Sequence, residues 1–239
     1  MVETIVYHGT TTENAQNILK ENFTIPKRIN YNYWLGRGVY FFLEDIFAFK
    51  WCIHEYKRIY KEEFSIDVAS TMSIVESTLK YDENRLLDLT YFKGQCIFDE
   101  VYNGMLKSKK YAEELRKNPN NIVCIVIEYM FEILEFNKFY DLVKQIYRVY
   151  KPNYSKIVNA RERGIPQYQL CVKNNDIIKN RVIFNYIGNI NNYKEQWDKL
   201  INAEPLFGFS IVQENDVTNE TIQYTNDDNI LYFRGDNNE

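Results

Sequence analysis

Leu35-Gly36-Arg37-Gly38-Val39-Tyr40-Phe41 runs from a tight turn directly into a strand. The glycine pair stands where the backbone must turn sharply or approach a ligand closely, and Val39-Tyr40-Phe41-Phe42 is a compact run of β-prone side chains. Beyond Tyr40 come Ala48 and then Trp51-Cys52, on a helix expected from Glu44 or Asp45 to about Glu62. This is not the GxGxxG dinucleotide fingerprint, because no third glycine opens the helix.

Upstream, Ile5 to His8 reads as a short strand, and Tyr7-His8-Gly9-Thr10 ends it in a small residue, so that backbone amides stand beside one polar ring. Thr10-Thr11-Thr12-Glu13 fits a capping box before a helix with apolar positions at Ala15, Ile18 and Leu19. A polar loop with Pro26, Lys27 and Arg28 then leads to the glycine turn.

Downstream, strands are expected around Thr71 to Lys80, Arg85 to Leu89 and Leu142 to Tyr150. Gln95 to Arg116 reads as one or two helices stopped by Asn118-Pro119-Asn120. The apolar stretch Ile122 to Leu134 fits a buried helix or a strand. Lys151 to Arg163 reads as a loop, and Gln167-Tyr168-Gln169-Leu170-Cys171-Val172-Lys173 alternates polar and apolar as a half-buried strand does. A helix is expected at Tyr193 to Ala203, followed by an acidic, Asn-rich tail.

The 239 residues suffice for a sizeable core, and 45% hydrophobic with 26% charged residues is the composition of a folded globular chain. The start, Met1-Val2-Glu3-Thr4, lacks the basic and apolar regions of a signal peptide, and no apolar run is long enough for a membrane span. A cytoplasmic protein without membrane contact is expected. Cys52, Cys96, Cys124 and Cys171 form no CxxC pair, so buried free thiols are expected rather than disulfides or a metal site. The net charge of −4 argues against indiscriminate nucleic-acid binding and leaves room for a local basic patch.

Taken together, His8-Gly9-Thr10 at a strand end, Gly36-x-Gly38-x-Tyr40-Phe41, and Ala48-x-x-Trp51-Cys52 on a helix resemble the ADP-ribosyltransferases, specifically the diphtheria-toxin-like and poly(ADP-ribose) polymerase-like branch with a His-Tyr-Glu triad. The resemblance implies an α+β fold with a split β-sheet core enclosing NAD⁺ and surrounded by helices. It would cover residues 1–187 with a helical insertion near 92–135, residues 188–239 being an extension of the same domain. It further implies that His8 hydrogen-bonds the adenosine ribose, that the Gly9 backbone pairs with the nicotinamide carboxamide, and that Tyr40 and Trp51 stack on the two faces of nicotinamide. Thr10, Gly36, Arg37 and Gly38 would complete the NAD⁺ site.

The family's third element belongs at a late strand, where Gln169 stands in place of the usual glutamate and Gln167 shares its face. A glutamine hydrogen-bonds ribose hydroxyls but neither ionises nor acts as a base, which argues against chain-elongating polymer synthesis. The resemblance thus implies mono-ADP-ribosylation of a macromolecule with NAD⁺ as co-substrate and no metal, in an intracellular bacterial toxin of a defence or toxin-antitoxin system, with an antitoxin protein as partner. An NAD⁺ glycohydrolase and a non-catalytic NAD⁺ or ADP-ribose binding module are the rival readings. The acceptor is RNA, DNA or protein: Lys27, Arg28 and Arg37, with Lys151, Lys156, Arg161 and Arg163, are either a phosphate-tracking surface or solvated loop charges, some of them holding pyrophosphate.

Overall fold

The computed structural model describes residues 1–29, 33–149, 165–184 and 192–195. Strands β1 (Val2–Thr11), β2 (Val39–Phe42), β3 (Met72–Tyr81), β4 (Leu86–Asp88), β5 (Leu142–Val149), β6 (Ile165–Val172) and β7 (Ile178–Phe184) form one seven-stranded sheet of order β4-β5-β6-β2-β1-β3-β7. Every neighbouring pair is antiparallel except β4 and β5. The helices are α1 (Thr12–Glu21), α2 (Asp45–Tyr60), α3 (Phe92–Leu106), α4 (Lys109–Lys117) and α5 (Ile122–Glu132). The chain is therefore a mixed α+β protein.

Alternation along the strands sorts side chains onto two faces, because successive residues of a strand point oppositely. Val6, Val39, Phe41, Val75, Leu170 and Val172 go to one face, under Ala15 and Ile18 of α1. On the other face Phe42, Met72 and Ile74 pack on Ile46, Phe49, Cys52 and Tyr56 of α2. Farther along that face, Val143 and Cys171 pack with Phe98, Met105, Leu115, Val126, Ile127 and Met130 of α3 to α5. The sheet is thus the middle of three layers.

The two halves of the sheet are joined narrowly. β1 pairs with β3 from Val2 opposite Tyr81 to Thr11 opposite Met72. β2 pairs with β6 from Val39 opposite Val172 to Phe42 opposite Gln169. Between β1 and β2 the register holds only at Tyr7 opposite Phe42.

Local signals explain most element ends. The Thr11 side chain caps α1 by accepting from the Asn14 amide at 3.2 Å, one residue beyond the expected cap at Thr10. Asn22 (φ 90°) and Lys61 (φ 59°) close α1 and α2 in backbone conformations with positive φ. Gln95 to Arg116 divides into α3 and α4. The ambiguous apolar stretch is helix: α5 is rich in β-branched residues, yet Cys124, Ile125, Val126, Ile127, Glu128, Met130 and Phe131 are all buried. A helix buried nearly all round needs no polar face, so burial overrides its β propensity. β7 had no strand signal of its own, and its outer positions alternate poorly. Of the cysteines, Cys52, Cys124 and Cys171 are buried as expected, and Cys96 is exposed, on the outer face of α3. Of the expected Tyr193 to Ala203 helix only residues 193–195 are among those described, and they are helical.

Phe41 is fully buried at the centre of the first core face. Phe41→Ala is expected to lower stability by about 3–5 kcal/mol, whereas Val182→Ala, 49% exposed on β7, changes it by less than about 0.5 kcal/mol. Urea unfolding of both variants checks this.

Candidate functional site

Beyond the Tyr7–Phe42 pair a cleft of about 600 Å³ is lined from both half-sheets, by His8 and Thr10 of β1, Val39, Tyr40 and Phe42 of β2, and Gln169 of β6. Trp51 of α2, Gly38 and Trp34 of the turn, and Asn14, Asn17 and Glu21 of α1 complete the main walls. Six of the residues singled out in the sequence, His8, Thr10, Gly38, Tyr40, Trp51 and Gln169, therefore line one cleft although up to 161 positions separate them. A cleft of this size matches those that hold cofactor-sized molecules.

His8 Nδ1 lies 2.7 Å from the Tyr40 carbonyl oxygen. A carbonyl only accepts, so Nδ1 carries the proton and the neutral ring offers Nε2 as an acceptor. Phe23 and Phe41 meet the ring edge-on, with centroids 5.2 and 5.8 Å away. Burial holds the imidazole pKa below its ordinary value of 6.5, against the opposing pull of the Tyr40 carbonyl and Glu55.

Tyr40 uses its hydroxyl away from the cleft, donating to the Gly36 carbonyl at 2.6 Å and accepting from the Leu35 amide at 2.8 Å. Burial raises its pKa well above the phenol range, so it stays protonated. What it presents to the cleft is ring. Its aromatic neighbour is Tyr33, 6.2 Å away, while Trp51, 36% exposed, contacts Phe42 at 6.5 Å and stacks on His54 at 5.2 Å. Trp34, 46% exposed, packs on Tyr147 at 4.4 Å.

Gln169 stands opposite Phe42 on one side and Gln145 on the other, with Gln167 on the same buried face. It is 2% exposed, and its Oε1 has no hydrogen-bond partner among the described residues. An unmade hydrogen bond at a buried amide oxygen costs about 1–3 kcal/mol, which makes Gln169 Oε1 an orphan acceptor beside the cleft.

Other expected site residues lie elsewhere. Gly9 is needed for packing: a Cβ there would overlap the Ala48 carbonyl and Cys52 Sγ of α2. Gly36, at φ +70°, and Arg37 face α5. The Arg37 side chain ion-pairs with Glu128 and Glu132 and donates to the Lys27 carbonyl at 2.9 Å. Lys27 and Arg28 are exposed. Arg161 and Arg163, with Lys151 and Lys156, lie outside the described residues.

Among proteins compared with this chain, Uncharacterized protein MJ0359 of Methanocaldococcus jannaschii is 31% identical over 194 residues, spanning 74% of this chain and 86% of that protein. The chain belongs to the MJ0359 family. No family model and no solved structure matches it. Among the described residues no group of three or more His, Cys, Asp or Glu side chains is placed to hold a metal ion, and no helix is long and apolar enough to cross a membrane.

Trp34, Phe42, Asn14, Asn17 and Glu21 were not singled out in the sequence. Trp34 had a signal, an aromatic two residues before the glycine turn. The α1 residues had one too, since Asn14, Asn17 and Glu21 recur at helical spacing on one face.

The lowered His8 pKa has a testable sign. Below pH 6.5 the unfolded chain binds this proton before the folded one does, so stability falls as pH drops through that value and levels off below the folded pKa. Urea melts between about pH 7.5 and 5 should show the fall, and His8→Gln should flatten it. Nitrogen NMR of the imidazole should report the Nδ1-protonated tautomer.

Proposed function

We propose that this chain is an NAD⁺-dependent mono-ADP-ribosyltransferase with a split-sheet ADP-ribosyltransferase-like core, acting on a macromolecule. The observation that carries the reading is Gln169: this residue, whose Oε1 is buried without a partner among the described residues, lines the same cleft as His8, Tyr40 and Trp51. These are the side chains that the sequence resemblance groups together. The narrow join between β1 and β2 supports it, because a sheet that parts at this place can admit a bent dinucleotide.

NAD⁺ brings a cationic nicotinamide joined to ribose by a labile glycosidic bond. Tyr40 and Trp51 attract that flat cation through their ring faces, each contributing about 0.5–1.5 kcal/mol. His8 Nε2 accepts from one ribose hydroxyl, and Gln169 Oε1 from another. As the C–N bond breaks, its electron pair leaves with nicotinamide; an acceptor lone pair forms the new bond to the anomeric carbon, and the acceptor's proton passes to solvent. Gln169 takes no proton. A neutral amide attracts the oxocarbenium-like centre less than a carboxylate does, so transfer relies on positioning and on a nucleophilic acceptor.

Incubation with NAD⁺ labelled in the ADP-ribose half tests the reading. Label on RNA, DNA or protein identifies the transferase and its acceptor; free ADP-ribose identifies a glycohydrolase, and intact retained NAD⁺ a binding module. Absence of both binding and turnover removes the reading. His8→Ala and Tyr40→Ala are each expected to lower turnover at least about tenfold. Gln169→Ala should cost about 2–4 kcal/mol of transition-state stabilisation, and Gln169→Glu should keep substantial activity with more hydrolysis. Wild-type transfer by Gln169→Ala would dismiss Gln169 from the mechanism.

A further inference from the structure

The turn between Leu35 and Gly38 is held by side chains at both backbone polar atoms of Leu35 and of Arg37 and at the Gly36 carbonyl. The Leu35 amide donates to the Tyr40 hydroxyl, which donates in turn to the Gly36 carbonyl. Lys173, just past β6, donates from Nζ to the Leu35 carbonyl at 2.7 Å and to the Arg37 carbonyl. The Arg37 amide donates to Glu128 Oε1, while Glu128 Oε2 accepts from Arg37 Nε at 2.9 Å. The Glu128 side chain is only 7% exposed, within the otherwise uncharged stretch of α5 that precedes Glu132. The Lys173 ammonium lies 5.0 Å over the ring of Phe131, also on α5.

A surface turn is ordinarily closed by its own backbone and by water. Here a buried carboxylate and a half-buried ammonium from elements far away in sequence converge on Arg37, the ammonium reaching Leu35 as well. Burying such charges costs several kcal/mol unless they are well paired, so a turn that needed only to reverse the chain gives no reason for them. The turn does more than reverse the chain. It carries Trp34 and Gly38 into the cleft wall, and through the Tyr40 hydroxyl it fixes the tilt of the Tyr40 ring.

We propose that Glu128 and Lys173, neither of which lines the cleft, are positioning residues for its ligand: they hold the Leu35–Gly38 turn, and with it Tyr40 and Trp34, in the geometry that receives a flat ring. The assignment of that ring to nicotinamide rests on the NAD⁺ reading above. The charges act in opposite senses on the turn, Glu128 on an N–H and Lys173 on two carbonyls. Loss of either frees one side of it. Glu128, together with Glu132, also holds the Arg37 side chain, which does not line the cleft.

The test compares Glu128→Gln, Lys173→Met and Tyr40→Phe with the wild-type full chain, reading steady-state NAD⁺ turnover, thermal unfolding and amide hydrogen exchange of the turn. Tyr40→Phe keeps the ring and removes the hydroxyl. The expected result is a fall in kcat/KM of up to about a hundredfold, the scale of a small misplacement of reacting groups. It is accompanied by faster exchange at the Arg37 amide in Glu128→Gln and at the Leu35 amide in Tyr40→Phe, while exchange in β1 and β3 is unchanged. Wild-type kcat/KM in all three variants, or faster exchange spread evenly over the sheet, overturns the proposal by reducing the pair to general stabilisation. If wild-type protein neither binds nor turns over NAD⁺, the functional reading fails separately. The exchange data then decide the clamp alone: local acceleration at the turn upholds it and wild-type exchange overturns it. Should Glu128→Gln fail to fold, Lys173→Met and Tyr40→Phe give the same readouts from the opposite side of the turn.

Discussion

Tyr7 opposite Phe42 is the register that joins the two halves of the sheet among the described residues, and the rest of the architecture depends on how little pairing it provides. Were β1 and β2 paired along their length, Gly9 and Thr10 would lie against Val39 and Tyr40, and no space would remain between them. The strands instead part, and the backbone groups so released need other partners. The Tyr40 carbonyl finds the His8 imidazole. One hydrogen bond therefore spans the opening and at the same time sets the tautomer of the ring that lines it.

Both walls of the cleft are secured from behind by polar side chains of later segments. On the α1 side, Asn175 donates to the Phe23 carbonyl at 2.6 Å and Arg181 to Asn22 Oδ1 at 3.0 Å, steadying a segment in which Asn22 has a positive φ. On the other side stand Glu128 and Lys173. Apolar packing holds the three layers together, as Phe41 and Ile127 show by their complete burial. Such packing is weakly directional, whereas hydrogen bonds to named backbone atoms fix a loop to within a few tenths of an ångström. The division of labour follows from that difference: the core gives stability and the polar ties give shape.

The sequence made the cleft's centre legible because its parts are local patterns. A strand ending in His8-Gly9-Thr10, a glycine turn running into Tyr40, and alternation around Gln169 are each visible within ten residues. The glycines and the arginine of those motifs also have structural partners that lie far away in sequence. Gly9 is dictated by the approach of α2, and Arg37 by carboxylates about ninety residues away, partners that no local pattern announces. Glu128 did leave a trace, as a lone charge inside the apolar run from Ile122 to Phe131, and that charge marks a partner rather than the end of a buried segment. The helical state of that run was beyond periodicity, since a segment buried on all sides has no period to read.

The pairing of β2 with β6 has a consequence for the order in which the molecule is made. Val39 to Phe42 must wait for Gln169 to Val172 before the centre of the sheet exists, a loop closure of roughly 130 residues. Contacts of such long range form slowly, and domains emerge from the ribosome N-terminus first. His8, Tyr40 and Trp51 are all synthesised early, but they face no finished cavity until the chain has been translated past Val172 and has inserted β6 beside them. A chain that stops short of β6 therefore carries most of the ligand-facing rings without the strand that brings them to a common point, and the cleft arises only once Ile165–Val172 has joined the sheet.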